Sequence, residues 1–230
     1  MTNNIAEALK SAYNAITEFQ TKQQLSQQSR LIAVSKTKPA SSVAAAYQAG
    51  QRAFGENYVQ ELVSKATELQ QLADIEWHFI GPIQSNKTKD IAQYADWVHS
   101  IERLKIAERL AAQRPADKAP LRVLLQINIS AEESKSGIKP DELLPLAAAV
   151  AKLPQLQLKG LMAIPQPGNS AEAFEQMQKL SLQLQQHYPD AKELSMGMSD
   201  DWQQALRFGS TMIRLGTAIF GARETHSDDR

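Results

Sequence analysis

The sequence predicts an α/β fold, a (β/α)₈ or TIM barrel preceded by an extra N-terminal helix. Three observations carry this. Eight short apolar runs alternate with helical segments, the pattern of parallel strands joined by crossover helices. The alternation fills about 200 residues, near the small end of the barrel size range. The first strand-to-helix turn, Ser35-Lys36-Thr37-Lys38-Pro39, has no glycine, whereas the alternative, a doubly wound open sheet, usually carries a glycine-rich first turn.

The elements follow in order. Ile5, Leu9, Ala12, Ile16 and Phe19 mark one face of a first helix, expected over about residues 3–28 together with the polar run QQLSQQS. Leu31-Ile32-Ala33-Val34 is the first strand, and an Ala-rich helix covers Ser41 to Ala49. Arg52 to Gly55 is a brief second strand, and Val59, Leu62, Val63, Ala66 and Leu69 mark the next helix. Ile75 to Ile80 is stopped by Gly81-Pro82. A helix over Asn86 to Tyr94 leads to a strand at Trp97-Val98-His99, followed by a helix over Ile101 to Ala112. After the polar linker QRPADKA comes the clearest strand, Leu121 to Ile127. Pro140 suits a first helical turn, and that helix runs to Lys152. Leu156 to Met162 is the sixth strand. Phe174, Met177, Leu180 and Leu184 form a long amphipathic helix. Leu194-Ser195-Met196, a helix from Asp200 to Arg207 and Met212-Ile213-Arg214-Leu215 complete the set, leaving a polar tail over about 224–230. One domain spanning 1–230 is expected.

Composition narrows the function. Among 230 residues, Lys plus Arg is 25 and Asp plus Glu is 25, so there is no positive excess with which to neutralise a phosphate backbone, and nucleic acid is not an expected partner. There is no cysteine, which excludes disulfides, thiol nucleophiles and zinc–thiolate clusters. The longest apolar stretch, around Leu146 to Leu153, is far short of the roughly 20 residues a membrane helix needs. The opening MTNNIAEALK lacks a basic region followed by an apolar one, so a secretory signal is not expected and a cytoplasmic location is.

Several familiar motifs fail. Gly50 to Gly55 has the glycine spacing of a phosphate-binding loop, but Glu56 stands where lysine is needed and would repel phosphate. Gly197-Met198-Ser199-Asp200-Asp201 lacks the last glycine of a nucleophile elbow. His78, His99, His187 and His226 have neither helix-face nor metal-ligand spacing and read as packed or surface histidines. No metal-ligating residue is assigned.

Lys36 follows the first strand directly, at the end where barrels carry their sites. A lysine among apolar walls and near a second cation loses proton affinity, and the neutral amine can form a Schiff base with a carbonyl. By itself the position is more often a solvated charge. A second constellation changes the balance. Phosphate sites in such barrels use the loops after strands 7 and 8, which here carry Met198-Ser199-Asp200-Asp201 and Leu215-Gly216-Thr217-Ala218. Ser199 also reads as a helix N-cap, and Arg214 as a salt-bridged structural arginine. Facing the mouth, Arg214 would instead hydrogen-bond a ring nitrogen. Lysine for an aldehyde, amides at Gly216 and Thr217 for a phosphate and arginine for a heterocycle together describe a pyridoxal phosphate site.

The segments Ala33 to Pro39, Phe54 to Glu61, Trp77 to Lys87, Gln126-Ile127-Asn128, Ser134-Lys135-Ser136-Gly137, Gly160-Leu161-Met162, Ser195 to Asp201 and Gly209 to Gly221 resemble the YggS/PROSC family along the whole barrel. The resemblance implies a barrel of the alanine racemase N-terminal type and a role in pyridoxal 5′-phosphate (vitamin B6) homeostasis. It implies that Lys36 carries the cofactor covalently, that Ser199, Gly216 and Thr217 contact the phosphate, and that Arg214 contacts the pyridine nitrogen. Asn57 and Met162, at other strand ends, are implied to line the same pocket.

Alanine racemases add a β-rich domain that closes the site and supplies a tyrosine base, and this chain is expected to lack it. An arginine at the pyridine nitrogen keeps the ring unprotonated and weakens it as an electron sink. Both points favour a carrier or regulator over a catalyst, with no catalytic residue assigned. A small pyridoxal phosphate-dependent racemase and a cofactor-free Schiff-base aldolase are the rival readings. Apoenzymes that use the cofactor are the expected protein partners, and no long exposed apolar stripe demands more than a monomer.

Overall fold

The computed structural model describes residues 4–130 and 136–222. The polar tail at 224–230 and the Ser134-Lys135 pair lie outside the described residues.

Eight parallel strands close into a barrel in chain order, with β8 returning to β1: β1 (Arg30–Val34), β2 (Ala53–Glu56), β3 (Glu76–Phe79), β4 (Trp97–Ile101), β5 (Leu121–Gln126), β6 (Leu156–Met162), β7 (Glu193–Ser195) and β8 (Met212–Leu215). The strands read as near-continuous apolar runs because helices cover the outer surface and side chains fill the inner one. Leu31, Ala33, Phe54, Phe79 and Val98 point outward into the layer beneath the helices, while Ile32, Ala53, Trp97, Leu124, Met162 and Met212 pack inside the barrel. The alternation of in and out follows the period of two along each strand.

The crossover helices are α2 (Ala40–Gln48), α3 (Val59–Glu68), α4 (Thr88–Tyr94), α5 (Leu104–Gln113), α6 (Leu143–Ala151), α7 (Ser170–His187) and α8 (Trp202–Arg207), with short α9 (Thr217–Phe220) after β8. The extra helix α1 (Ile5–Lys22) starts at Asn4, whose side chain accepts from the Glu7 amide, and buries Leu9 and Ile16 against α9, α2 and α8. Its end differs from the expected 28. Gln23 donates back to Phe19 and closes the last turn, and Gln24 then takes a positive φ of 54°, which no α-helix continues. The rest of the glutamine-rich run passes under the barrel and enters β1.

Two further boundaries differ from expectation. β4 continues to Ile101, because that side chain is fully buried in the outer layer and remains paired with Leu125, so α5 begins only at Leu104. α8 begins at Trp202, with Asp201 rather than Ser199 at its N-cap position. One register shift is explained by a glycine. Between Val123 and Leu124 the β5–β6 ladder slips, and opposite the slip Gly160 has a φ of +149°, where a Cβ would lie 1.8 Å from the Glu193 carbonyl oxygen. No other residue fits there.

Candidate functional site

The C-terminal ends of β1, β7 and β8 surround a cavity of about 170 Å³, lined among others by Val34, Lys36, Ser199, Arg214, Gly216 and Thr217. Five of the seven residues singled out from sequence therefore meet in one place. The other two do not line it. Met162 is fully buried inside the barrel beside Ile32 and Leu124. Asn57, just past β2, is half-buried, and its Oδ1 is buried with no hydrogen-bond partner among the described residues. Three larger cavities, of about 790, 900 and 450 Å³, lie at the opposite barrel end around Arg30 and Lys192, against α8 around Glu172 and Arg207, and against α1 around Ile16 and Ala218. None of them is lined by Lys36 or Arg214.

Lys36 is half-buried, and the chain on both sides of it is tied down. Thr37 has a φ of 65°, a strained value for a β-branched residue. Its amide donates to Glu61 Oε1 at 2.7 Å. On the other side, Ser35 Oγ donates to Glu56 Oε1 at 2.6 Å, and the Ser35 carbonyl accepts from Lys65 Nζ at 2.7 Å. Lys65 also pairs with Glu56 at 2.7 Å and Glu61 at 3.1 Å. Burial pushes the Glu56 carboxyl above the ordinary range, and the opposing charge of Lys65 and the hydrogen bonds it receives only partly offset this. The network lies outside the strands, beneath α3, and holds the backbone from which Lys36 projects into the cavity. In the sequence Glu56 stands out only as a carboxylate that would repel phosphate, Glu61 only as the end of a motif, and Lys65 not at all. The one available signal was the Glu61/Lys65 spacing of four on a helix.

Arg214, on β8, is 3% exposed. It is not the salt-bridged arginine that was one reading of its position: among the described residues no ion pair includes it. Nη1 donates to Ser195 Oγ at 2.5 Å and Nη2 to the Ala163 carbonyl at 3.2 Å. Burial lowers its pKa to about 10, with the charge of Asp201 opposing, so the guanidinium stays protonated at neutral pH. Ser195 also contacts His99 Nδ1 at 2.8 Å, His99 Nε2 lies 2.8 Å from His78 Nδ1, and His78 Nε2 lies 2.7 Å from Glu76 Oε1. Both histidines are packed, as the sequence suggested. That they bond each other, from adjacent strands, was not visible in it.

Ser199 and Thr217 are exposed at the cavity rim. Asp201 Oδ1 accepts from the Met198 amide and shapes the loop that presents Ser199. Thr217 opens α9, where the first-turn amides have no acceptor within the helix. A Cβ at Gly216 would stand 3.2 Å from the Val34 carbonyl oxygen, so only glycine brings the backbone this close to β1 without displacement. Lys38 also borders the cavity, with Nζ bonded to the Ala222 carbonyl at 2.8 Å. Among the described residues there is no cluster of His, Asp and Glu suited to a metal, and no helix is long and apolar enough to cross a membrane.

A closed parallel barrel whose mouth cavity takes a lysine from the end of β1, an arginine from β8 and hydroxyls and amides from the loops after β7 and β8 defines a (β/α)₈ barrel with a candidate site at its C-terminal end. The family described as "Alanine racemase, N-terminal domain" matches residues 14–224. An alanine racemase from Corynebacterium glutamicum shares the fold with a TM-score of 0.68 at 16% identity, covering 97% of this chain and 62% of that one. PipY of Synechococcus elongatus, in a structure with PLP bound, matches with a TM-score of 0.81 at 38% identity, over 94% of this chain and 100% of that one. The Haemophilus influenzae protein named "Pyridoxal phosphate homeostasis protein" is 58% identical over 201 residues, 84% of this chain and 85% of its own length. The chain belongs to the alanine racemase N-terminal domain family and, within it, to the pyridoxal phosphate homeostasis proteins.

Proposed function

We propose that this chain binds pyridoxal 5′-phosphate in the mouth cavity, covalently through Lys36, and serves vitamin B6 homeostasis by buffering the cofactor and handing it to apoenzymes. The observation that carries the reading is the convergence of Lys36, Arg214, Ser199, Gly216 and Thr217 on one cavity from three strands. These residues fit the group: an amine for its aldehyde, a buried guanidinium for its ring nitrogen, and a hydroxyl–amide rim for its phosphate. When bound, the cofactor supplies an electrophilic aldehyde and an electron-withdrawing ring.

Lys36 would hold the aldehyde group through its Nζ, and the tied backbone at Ser35 and Thr37 fixes where that amine sits. Arg214 would donate toward the ring nitrogen and, being protonated itself, would leave that nitrogen without a proton, which would weaken the ring as an electron sink. The described residues lining the cavity include Lys36, Lys38 and Arg214 but no carboxylate, imidazole or phenol. This supports a carrier rather than a racemase, since a positioned general base typically contributes about 10²–10⁴ in rate. Exposed Tyr58, Ile164 and Met198 sit on loops at the mouth end and exposed Leu104 begins α5, a surface suited to a recipient protein. A cytoplasmic monomer fits the reading.

Borohydride reduction of cofactor-loaded protein followed by peptide mapping tests it. The pyridoxyl mass is expected on Lys36; finding it mainly on Lys38, or nowhere, refutes the covalent site. Chiral chromatography of L- and D-amino acids incubated with the loaded protein tests the carrier role, and turnover on the order of 1 s⁻¹ would make the chain an enzyme.

A further inference from the structure

We propose that Glu76, His78, His99 and Ser195 form a one-way hydrogen-bond chain through the barrel interior whose task is to position Arg214. The proposal rests on the cofactor site described above and concerns residues that do not touch the cofactor.

The direction of every bond in the chain follows from its two ends. An arginine has donors and no acceptor, so Arg214 must donate to Ser195 Oγ. The serine proton is then available for His99 Nδ1, which makes that nitrogen the acceptor and places the His99 proton on Nε2. His99 Nε2 therefore donates to His78 Nδ1, and His78 carries its own proton on Nε2, facing the Glu76 carboxylate. Nothing at either end permits the reverse order while Glu76 is ionised. Arg30, which bonds the same Glu76 oxygen at 2.8 Å, fixes the solvent end.

The surroundings keep the rings in place and uncharged. His78 stacks on Trp97 with centroids 5.5 Å apart and planes 8° from parallel, so it cannot turn over without losing both nitrogen contacts. Burial disfavours protonation of both rings; the charges facing His99 add to it, and at His78 it outweighs the opposing hydrogen bond and charge of Glu76. The groups facing the rings are Glu76, Arg30 and Arg122 at His78, and His78, Arg214 and Arg30 at His99. Of the facing groups only Glu76 works the other way.

Stability alone does not call for such a chain. Barrel interiors are filled by branched apolar side chains, and a buried polar network replaced by well-packed apolar groups is often neutral. What the chain supplies is orientation. With Nη1 held by Ser195 and Nη2 by Ala163, the guanidinium cannot swing, and its remaining N–H groups are aimed from β8 into the cavity. Because Arg214 is a donor only, the chain positions it and does not pass protons to it.

The test begins on the cofactor-free protein. Nitrogen–proton correlation spectra at pH 7 should show both His78 and His99 as neutral rings protonated at Nε2; an Nδ1-protonated ring at either position overturns the proposal without any substitution. Spectroscopic titration with pyridoxal 5′-phosphate then compares wild type with Ser195→Ala and Glu76→Gln. Ser195→Ala, with near-ultraviolet circular dichroism unchanged, should bind about tenfold or more weakly, since a bond to a charged group is lost, and should shift the absorption band of the bound cofactor. Glu76→Gln keeps an acceptor oxygen and should stay close to wild type in affinity and band. Wild-type affinity and spectrum in Ser195→Ala would overturn the positioning role while leaving the cofactor site standing. If the wild-type chain takes up no cofactor, the proposed function falls and the positioning role with it.

Discussion

The outer polar network at the barrel mouth and the inner one that crosses the barrel from Glu76 to Arg214 solve different problems. The outer one, Glu56–Lys65–Glu61 beneath α3, is charged throughout and grips backbone: the carbonyl of Ser35 and the amide of Thr37. Its Glu56 Oε2 is buried with no partner among the described residues. The inner one joins a carboxylate to a guanidinium through two neutral imidazoles and a hydroxyl, and it grips a side chain. Charge suits the outer task because the loop after β1 is strained at Thr37 and needs strong, non-directional restraint. Neutral, directional bonds suit the inner task because the orientation of one guanidinium matters more there than binding strength. Lys36 and Arg214, the two ends of the proposed cofactor, are thus held by unlike means.

If that contrast is right, the largest effect follows from breaking the outer pair on one side. Lys65→Met leaves a buried carboxylate without its cation and should cost on the order of 3–5 kcal/mol in urea unfolding, whereas the double variant with Glu56→Leu should recover most of it. A loss below about 1 kcal/mol in the single variant would mean that the pair does not brace the loop.

The inner network should show itself through pH. His78 is lowered by burial from 6.5 to about 4, with Glu76 opposing. The unfolded chain therefore binds more protons than the folded one between those values. Stability is fully present above about 6.5 and is lost as pH falls toward 4, by on the order of 3 kcal/mol for this group. Burial acts to raise the Glu76 carboxyl, but the hydrogen bonds and charges of His78 and Arg30 outweigh it and hold the pKa at about 2, so acidification below 4.5 adds a loss of the same sign. Thermal melts from pH 8 to 4 check this, and His78→Gln should flatten the upper part of the profile. A flat wild-type profile would contradict neutral buried rings.

A third effect concerns the cofactor. Arg214→Ala removes the group that the inner network holds and should raise the dissociation constant about tenfold or more, with the fold intact. Equal affinity would place the ring elsewhere. The smallest effect is expected at Thr37. Asparagine tolerates its positive φ better, so Thr37→Asn should gain up to about 1 kcal/mol in thermal or urea unfolding. A loss there would show that the threonine side chain contributes more than its backbone strain costs.

Much of this protein was determined by the sequence alone. The apolar runs and the helical faces between them specified eight strands and their order, because alternation of parallel strands and helices has few closed solutions. The strand-end positions of Lys36, Ser199, Arg214, Gly216 and Thr217 marked the candidate site, because barrel strands all deliver their ends to one rim. What the tertiary structure decided are the contacts between residues far apart in the chain. Met162 was expected at the pocket wall, and the inward phase of β6 instead buries it in the barrel. Ser199 read as an N-cap, and the turn held by Asp201 moves the helix start past it. His78, His99 and Ser195 have no common spacing. They meet because β3 and β4 are neighbours and β7 faces them across the barrel, and a hydrogen bond depends on distance in space while a motif records distance along the chain.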